Sequence, residues 1–200
     1  MIDNLKGVAL EDLSIVFSDG DWIESKDQSE SGIRLIQTGN IGVGFFKNRA
    51  EKARFISEKK FTELNCNEVH AGDILVSRLP DPVGRSCIVP NLNEKLITAV
   101  DCTIIRLDTK RILPKYFIYF SQSPSYMSQV EKLITGATRQ RISRSNLGKI
   151  LVPLPDIVRQ QKIIDKFDRA FSSAGNAINL YERKIELIES LKISLLDEAF

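Results

Sequence analysis

The last 45 residues restrict most strongly what this chain can fold into. After the segment LVPLP, residues 151–155, no proline follows, and Gly175 is the only glycine before Phe200. Apolar residues recur there at alternating spacings of three and four, the heptad pattern of a helix that packs on another helix. At about 1.5 Å per residue, a helix over 156–200 is about 65 Å long. We therefore expect one long helix that protrudes from its domain and needs a partner.

The predicted seam of this helix contains one lysine, Lys192, among apolar side chains. Its other members are Ile164, Phe167, Phe171, Ala174, Ile178, Tyr181, Ile185, Ile188, Leu195 and Ala199. A second row widens the apolar face beyond a two-stranded seam, and it consists of Leu180, Leu187, Leu191 and Leu196. The alternative is a C-terminal helix that folds back onto its own sheet, but the length and the sustained seam favour protrusion.

Residues 8–152 show short apolar or alternating runs separated by turn residues, which is typical of strands. Examples are IRLIQTGNI (33–41), GVGFF, DILVSR (73–78), CIVP (87–90), LITAV and CTIIRL (102–107). Proline and serine start signals predict two helices, one over 114–121 and one from Ser123 or Pro124 to Ile134. The sequence thus predicts an α+β fold, with a curved, mainly antiparallel β-sheet domain with small helices over 1–153 and a long coiled-coil-type helix over 154–200.

Positive charge is concentrated in the middle of the chain. The formal net charge is only +2, but residues 71–150 contain 12 basic and 6 acidic side chains. Residues 1–70 contain 9 and 12, and residues 151–200 contain 7 and 8. A local positive field attracts phosphate backbones even when the whole molecule is nearly neutral. The distribution therefore favours a polyanionic partner.

The segment GATRQRISRSNLGK, residues 136–149, combines basic and hydroxyl side chains and contains no acidic residue. Arginine and lysine neutralise phosphates, hydroxyls add positioning hydrogen bonds, and arginine and glutamine can bind base edges. The candidate DNA contacts in this segment are Thr138, Arg139, Gln140, Arg141, Ser143, Arg144 and Lys149. The alternative is a solvated basic loop without a partner.

Two further basic segments add candidates. The turn RLPDPVGR is stiffened by two prolines and places Arg78 and Arg85 at its ends, and a rigid loop loses less entropy on binding. Lys47 and Arg49 follow GVGFF in a run that continues to residue 54. As charges alone, such runs are more often plain surface than binding sites.

Sequence patterns of catalysis are missing. The chain contains no P-loop, Rossmann fingerprint or nucleophile elbow, and His70 has no companion at metal-ligand spacing. Cys66, Cys87 and Cys102 form no CxxC pair, so we expect reduced thiols. The segment SPSY, 123–126, is the nearest match to an adenine methyltransferase loop but lacks the leading amide or acid. We predict no catalytic residue and no metal site.

The sequence favours a cytoplasmic protein without a membrane partner. No run approaches the roughly 20 apolar residues that cross a bilayer. The opening residues MIDNLKGVALEDL lack the basic-then-apolar layout of a secretory signal.

Several segments, taken in order, resemble one half of a type I restriction-modification specificity (S) subunit. They are VALEDL, SDGDWIESKD, IRLIQTGNIGVGFF, GDILVSR with a following GRS, GATRQRIS, and LVPLP leading through RQQKII into KIELIESLKISLLDEAF. The resemblance covers nearly all 200 residues. It departs at Arg159-Gln160, where the family often has Glu-Gln.

The resemblance implies a non-catalytic subunit with a single target recognition domain and a conserved-region helix. It implies double-stranded DNA as the ligand, methyltransferase (M) subunits that carry S-adenosylmethionine, and a restriction (R) subunit that uses ATP and Mg²⁺. The chain itself would need no cofactor. Full-length members have two such halves, whose long helices pack antiparallel and whose recognition domains each bind one part of a bipartite target.

A half-length chain would form a homodimer through its helix and recognise an interrupted palindrome, because a two-fold protein matches a two-fold target. Three alternatives remain: the specificity subunit of a methylation-only complex, a small DNA-acting enzyme, and a helical adaptor protein. An enzyme would act on DNA alone with a metal ion or methyl donor. An adaptor would show no salt-dependent DNA affinity.

Overall fold

The computed structural model describes residues 7–200. The chain divides into two compact units, of which the first ends at Gln161 and the second is Lys162–Phe200. The boundary expected from the sequence lies between residues 153 and 154, where the last strand ends. The structural division falls inside the long helix, because the first turn of that helix is bonded to the first unit.

Ten strands form three sheets in the described residues. They are β1 Gly7–Ala9, β2 Ser14–Asp19, β3 Gln28–Ser29, β4 Ile33–Ile36, β5 Arg54–Ile56, β6 Ile74–Ser77, β7 Ser86–Ile88, β8 Leu96–Thr98, β9 Cys102–Leu107 and β10 Leu151–Pro153. The first sheet has the order β2-β9-β6-β7 and is antiparallel throughout. The second has the order β3-β5-β4-β8 and contains one parallel pair, β4 with β8. The third pairs β1 with β10.

The α-helices of the described chain are α1 Glu58–Glu63, α2 Pro114–Ser121, α3 Pro124–Leu133, α4 Arg144–Gly148 and α5 Ile157–Ala199. The two short helices predicted from their start signals are confirmed as α2 and α3. Ser123 caps α3 by accepting a hydrogen bond from the Tyr126 amide at 3.2 Å. The sequence analysis did not predict α1 or α4, whose five or six residues are too few to show a period.

The predicted fold class is confirmed: the fold mixes helices with mainly antiparallel strands and has a long C-terminal helix. The strands are distributed over three sheets, whereas we expected one curved sheet. A run of apolar residues identifies a strand but not the strand with which it pairs, because pairing joins residues that are distant in sequence.

One hydrophobic cluster joins the two four-stranded sheets. Leu75 and Ile104 belong to the first sheet, and Ile36 and Leu96 belong to the second. Leu35 belongs to a separate cluster, because successive side chains of a strand point to opposite faces. Strand β4 is therefore buried on both faces, which explains why three of its four residues are apolar.

Gln160 fixes the first turn of α5 to the first unit. Its side chain is fully buried, and its Oε1 accepts a hydrogen bond from the Leu113 amide at 2.8 Å. Its Nε2 donates to the carbonyls of Arg111 and Pro155, each at 2.9 Å. Every polar atom of the buried amide has a partner, so this residue is a specific anchor for the start of the helix.

The second unit is a continuous helix whose side chains are almost all exposed. Among the predicted seam residues, Ile164 is buried. The remaining large seam residues are exposed, and they are Phe167, Phe171, Ile178, Tyr181, Ile185, Ile188 and Leu195. The second row, from Leu180 to Leu196, is exposed as well. A broad apolar face of the helix is thus accessible in the single chain.

Candidate nucleic-acid interface

Residues 135–141 form an exposed loop that two main-chain hydrogen bonds close. The amide of Thr135 donates to the carbonyl of Arg141, and the amide of Arg141 donates to the carbonyl of Thr135, both at 2.9 Å. Gly136 has a φ of +94°, and a Cβ atom there would overlap the carbonyl oxygen of Arg139. The loop therefore requires glycine at its first turn. We call it the basic loop.

Most of the DNA contacts predicted in 136–149 are exposed, namely Thr138, Arg139, Gln140, Arg141, Arg144 and Lys149. Ser143 has a different position. It is half-buried, and its hydroxyl accepts a hydrogen bond from the Asn146 amide at 3.1 Å, which caps α4. Serine is a preferred residue at a helix N-terminus, so this cap accounts for Ser143 without DNA.

Two aspartates lie beside the arginines of this segment. The Nη2 atoms of Arg139 and Arg141 lie 3.9 and 3.8 Å from the two carboxylate oxygens of Asp101. The Nε atom of Arg144 lies 4.0 Å from Asp19 Oδ2. Partly exposed ion pairs at such distances are weak, because water and salt screen them. The three guanidinium groups can therefore exchange a carboxylate for a phosphate at small cost.

Arg78 is buried and connects the basic loop to the first sheet. Its carbonyl accepts a hydrogen bond from the Ile142 amide at 3.2 Å, and its amide donates to the Asp101 carbonyl at 2.9 Å. Its guanidinium donates to the Val100 carbonyl and lies 3.4 Å from Asp19 Oδ1. Only 4% of Arg78 is exposed. Its charge is thus held inside the protein, between Val100 and Asp19.

Arg85 joins two loops that are far apart in sequence. Its guanidinium donates four hydrogen bonds to main-chain carbonyls: Nε to Ile41 at 2.8 Å, Nη2 to Thr38 at 2.9 Å, and Nη1 to Leu79 and Pro82 at 2.8 and 3.0 Å. The residue is 9% exposed, and burial lowers the pKa of its guanidinium from the usual value. Four carbonyl acceptors compensate the buried charge.

The geometry of Arg78 and Arg85 differs from what the sequence suggested. We predicted both as DNA contacts because they flank a stiff turn. Both guanidinium groups instead lie inside the protein: that of Arg85 binds four main-chain carbonyls, and that of Arg78 binds the Val100 carbonyl and lies beside Asp19. Their position assigns them to holding the loops, whereas the exposed arginines of the basic loop keep free access to a ligand.

Asn40 fixes the basic run that begins at Lys47. Its Nδ2 donates to the carbonyls of Lys47 and Asn48 at 2.9 and 3.2 Å, and its Oδ1 accepts from the Gln37 amide at 3.0 Å. The buried guanidinium of Arg34 donates to the main-chain carbonyl of Asn48 and to its side chain. The run is thus held from two sides, while its first lysine remains exposed.

These contacts connect the three basic segments. Asn40 holds the run 47–54, the neighbouring carbonyls of Thr38 and Ile41 bind Arg85, and Arg85 also binds the turn 79–82. Arg78 then joins the start of that turn to the basic loop through Ile142. We call residues 38–54, 79–82 and 135–149 together the loop surface. The sequence identified its basic segments but not their adjacency.

Sequence reasoning missed the residues that position these segments. Asn40 and Gln37 form a reciprocal cap around a 3-10 turn, Thr38–Asn40, and the pattern QTGN carries that signal. Arg34 is a charged residue inside the buried strand β4, and a buried arginine requires a specific partner. Gln160 belongs to the dipeptide at which the family resemblance departs, and it fills a buried anchoring position.

Cysteines, metal-ligating groups and apolar helices also bear on the sequence expectations, within residues 7–200. The three thiols are free and buried, and burial raises the pKa of Cys87 and Cys102 to about 12 and that of Cys66 to about 11. In the described part of the chain no group of three or more histidine, cysteine or carboxylate side chains is placed to hold a metal ion. Between residues 7 and 200, no helix has the length and apolar character to cross a membrane.

Comparisons with known proteins agree with this architecture. The EcoBI specificity subunit of the type I restriction enzyme from Escherichia coli is 25% identical over 179 residues, which are 89% of this chain and 37% of that protein. The EcoKI specificity subunit from Escherichia coli strain K12 is 25% identical over 182 residues, covering 88% of this chain and 39% of that protein. The chain therefore spans less than half the length of these relatives.

Among solved structures, the HsdS subunit from Thermoanaerobacter tengcongensis has a similar fold. The TM-score is 0.65 at 15% identity, and the match covers 86% of this chain and 43% of that subunit. The profile of the family described as type I restriction modification DNA specificity domain matches residues 3–190. With nearly its whole length matched, this chain belongs to the type I restriction modification DNA specificity domain family.

Proposed function

We propose that this chain binds a specific sequence in double-stranded DNA and directs a type I restriction-modification complex to it, without catalytic activity of its own. The observation that carries the proposal is the loop surface, on which the two exposed basic segments, 47–54 and 135–149, are connected through the turn 79–82 by hydrogen bonds of Arg85 and of the main chain. A built surface of this kind differs from scattered surface charge, because the fold has fixed each segment relative to the next.

The exposed side chains of the basic loop suit both kinds of DNA contact. Arg139 and Arg141 can bind phosphate oxygens or the paired acceptors of a guanine edge, and Gln140 can bind an adenine edge. Arg144 projects from the first turn of α4, beside the loop. Thr138 and Lys149 complete the proposed contacts as phosphate ligands, together with Lys47 and Arg49 of the first basic run.

The exposed apolar face of α5 supports self-association. A second copy would pair its helix with this one from Phe167 onward, which gives a two-fold assembly with two loop surfaces. Such an assembly would recognise an interrupted palindrome. Two copies would supply the two recognition domains that the family resemblance implies for full-length members.

The same helices would dock the methyltransferase (M) subunits, and a restriction (R) subunit would join that complex. S-adenosylmethionine, ATP and Mg²⁺ would belong to those partners, and the assembly would act in the cytoplasm. The names of the two curated relatives, which are specificity subunits of type I restriction enzymes, support the expectation that further subunits join such a chain.

The role of the basic loop and of the neighbouring Arg144 is tested by replacing Arg139, Arg141 and Arg144 together with alanine. Each lost phosphate contact should reduce the slope of log K against log salt by about 0.9. A matched control replaces three exposed lysines outside the loop surface, namely Lys26, Lys59 and Lys110. If duplex affinity and salt slope are the same in the triple variant as in the control, the basic loop has no role in DNA binding.

Self-association is tested by sedimentation of the full chain. Ile178→Glu places a carboxylate in the proposed helix interface and should produce monomers at micromolar concentration, whereas Asn179→Glu adds the same charge beside the seam and should not. A wild-type protein that sediments as a strict monomer would contradict the two-fold assembly.

A further inference from the structure

A small polar cavity lies on the loop surface, near the start of the first basic run. Its volume is about 130 Å³, and its lining consists of Gln37, Gly39, Asn40, Arg49, Lys52 and Arg54. Arg49 was a predicted DNA contact only because it belongs to the basic run after GVGFF. The structure instead gathers three cations of that run around one cavity.

Hydrogen bonds inside the protein build the walls of this cavity. The Asn40 side chain is buried, and its three hydrogen bonds go to the main chain of Gln37, Lys47 and Asn48, so it supports the run. Arg49 adopts a left-handed backbone conformation with a φ of +46°. This conformation begins the 3-10 turn Ala50–Lys52 and turns the run back toward Gly39.

Gly39 provides space for the Arg49 guanidinium. A Cβ atom at position 39 would overlap Arg49 Nη1, so any other residue would displace that group. The close approach of a guanidinium to a bare main chain places its charge at the cavity wall. Because this guanidinium is the end of a flexible, exposed side chain, its displacement should leave the rest of the fold unchanged.

The charge of the cavity points to an anion. Arg49, Lys52 and Arg54 are all cationic, and among the described residues the lining contains no carboxylate. Three like charges around a small cavity repel one another, and a bound anion removes that repulsion. The neutral amide groups of Gln37 and Asn40 make the remaining wall polar. A tetrahedral phosphate group has the charge, the acceptors and the size for this space.

We infer that this cavity binds one phosphodiester group of the DNA backbone and sets the register of the basic loop on the duplex. The inference rests on the proposed function and adds a site to it. Phosphate contacts fix the position of a protein on DNA, while base contacts specify the sequence. Arg85 connects the carbonyls beside the cavity to the turn 79–82, so a phosphate held here would position the loops that follow.

The decisive variant is Gly39→Ala, because it displaces the Arg49 guanidinium without changing the net charge. We expect it to weaken binding to a random-sequence duplex by several-fold. The double variant Lys52→Gln with Arg54→Gln should lower the salt slope by about 0.9, the value for one phosphate. Lys110→Gln is the control, because it removes one exposed charge outside the loop surface, in the loop after β9. Its duplex affinity and its salt slope should stay close to those of the wild type.

A Gly39→Ala protein with wild-type duplex affinity, together with a double variant indistinguishable from the control, would overturn the inference while leaving DNA binding itself intact. Absence of DNA binding by the wild-type chain would instead refute the proposed function. Inorganic phosphate distinguishes the source of the anion. Shifts of the Gly39 and Asn40 amide resonances with free phosphate, in a protein that does not bind DNA, would show a site for a free anion and overturn the DNA assignment.

Discussion

Replacement of Arg85 by methionine tests whether this residue supports the loop surface or contacts DNA. Methionine keeps most of the side-chain volume but removes the four hydrogen bonds to Thr38, Ile41, Leu79 and Pro82. A lost hydrogen bond of this kind costs about 1 kcal/mol on average, since the carbonyl is left without a donor. Four such losses give about 4 kcal/mol, a large part of the 5–15 kcal/mol that stabilises a typical domain.

The free energy of unfolding can be measured by urea denaturation of the DNA-free protein, followed by near-ultraviolet circular dichroism. Hydrogen exchange of the Ile41 and Gly84 amides adds a local probe, because both belong to the turns that Arg85 joins. We expect Arg85→Met to lower the free energy of unfolding by about 4 kcal/mol, the sum for four hydrogen bonds. The Ile41 and Gly84 amides should exchange faster in this variant. Arg85→Lys should lose nearly as much, because one ammonium group cannot reach both loops.

Arg141→Met is the matched control, because it also removes one arginine charge but from an exposed position. We expect its unfolding free energy to change by less than about 0.5 kcal/mol, as for other surface substitutions. Its salt slope for duplex binding should fall by about 0.9. The reasoning is refuted if Arg85→Met retains wild-type stability and loses DNA affinity through a reduced salt slope, since that result describes a DNA contact.

Three further predictions concern buried groups. Tyr126→Phe should lower the free energy of unfolding by about 1.5 kcal/mol, because it removes the buried 2.8 Å hydrogen bond to the Gly84 carbonyl. Urea denaturation measures this change, and an unchanged free energy would contradict the hydrogen bond. Gln160→Ala should increase hydrogen exchange at the Leu113 amide, since that amide loses its acceptor, and unchanged exchange would exclude the anchor. The three thiols should react with Ellman's reagent at pH 8 only on unfolding. Because burial raises the pKa of Cys87 and Cys102 from 9.0 to about 12, the folded state keeps protons that the unfolded state releases, and the free energy of unfolding should fall as pH rises above about 9. Rapid labelling of the native protein would contradict both statements.

Local signals in the sequence predicted the helices best. Pro114 and Ser123 mark helix starts by their own chemistry, and α2 and α3 begin there. The long helix could be predicted from two signals alone, the near absence of helix-breaking residues and the sustained heptad spacing of apolar side chains. Pairing of strands was less accessible, because β4 lies between β5 and the distant β8, and no local pattern indicates that neighbour.

Arg78 and Arg85 are buried, whereas the sequence predicted exposed positions for both. Arg78 and Arg85 carry the same charge as Arg139, and their turn residues suggest an exposed loop. Their burial depends on segments that are distant in sequence: Thr38 and Ile41 cover Arg85, and Val100 and Asp19 contact Arg78. The exposed positions of the basic loop were predictable, since Gly136 and a run of polar residues favour a surface turn. The cavity at Gly39 could not be predicted, because it forms only where the run 47–54 lies against Gln37, Gly39 and Asn40.

The central claim is that this chain selects the DNA sequence for partner subunits. Reconstitution with a type I methyltransferase (M) subunit from the same organism, followed by mapping of methylated bases on genomic DNA, tests that claim most directly. We predict methylation at one defined interrupted palindrome, present only when this chain is included. Methylation at no defined site, or at the same sites without the chain, would contradict it.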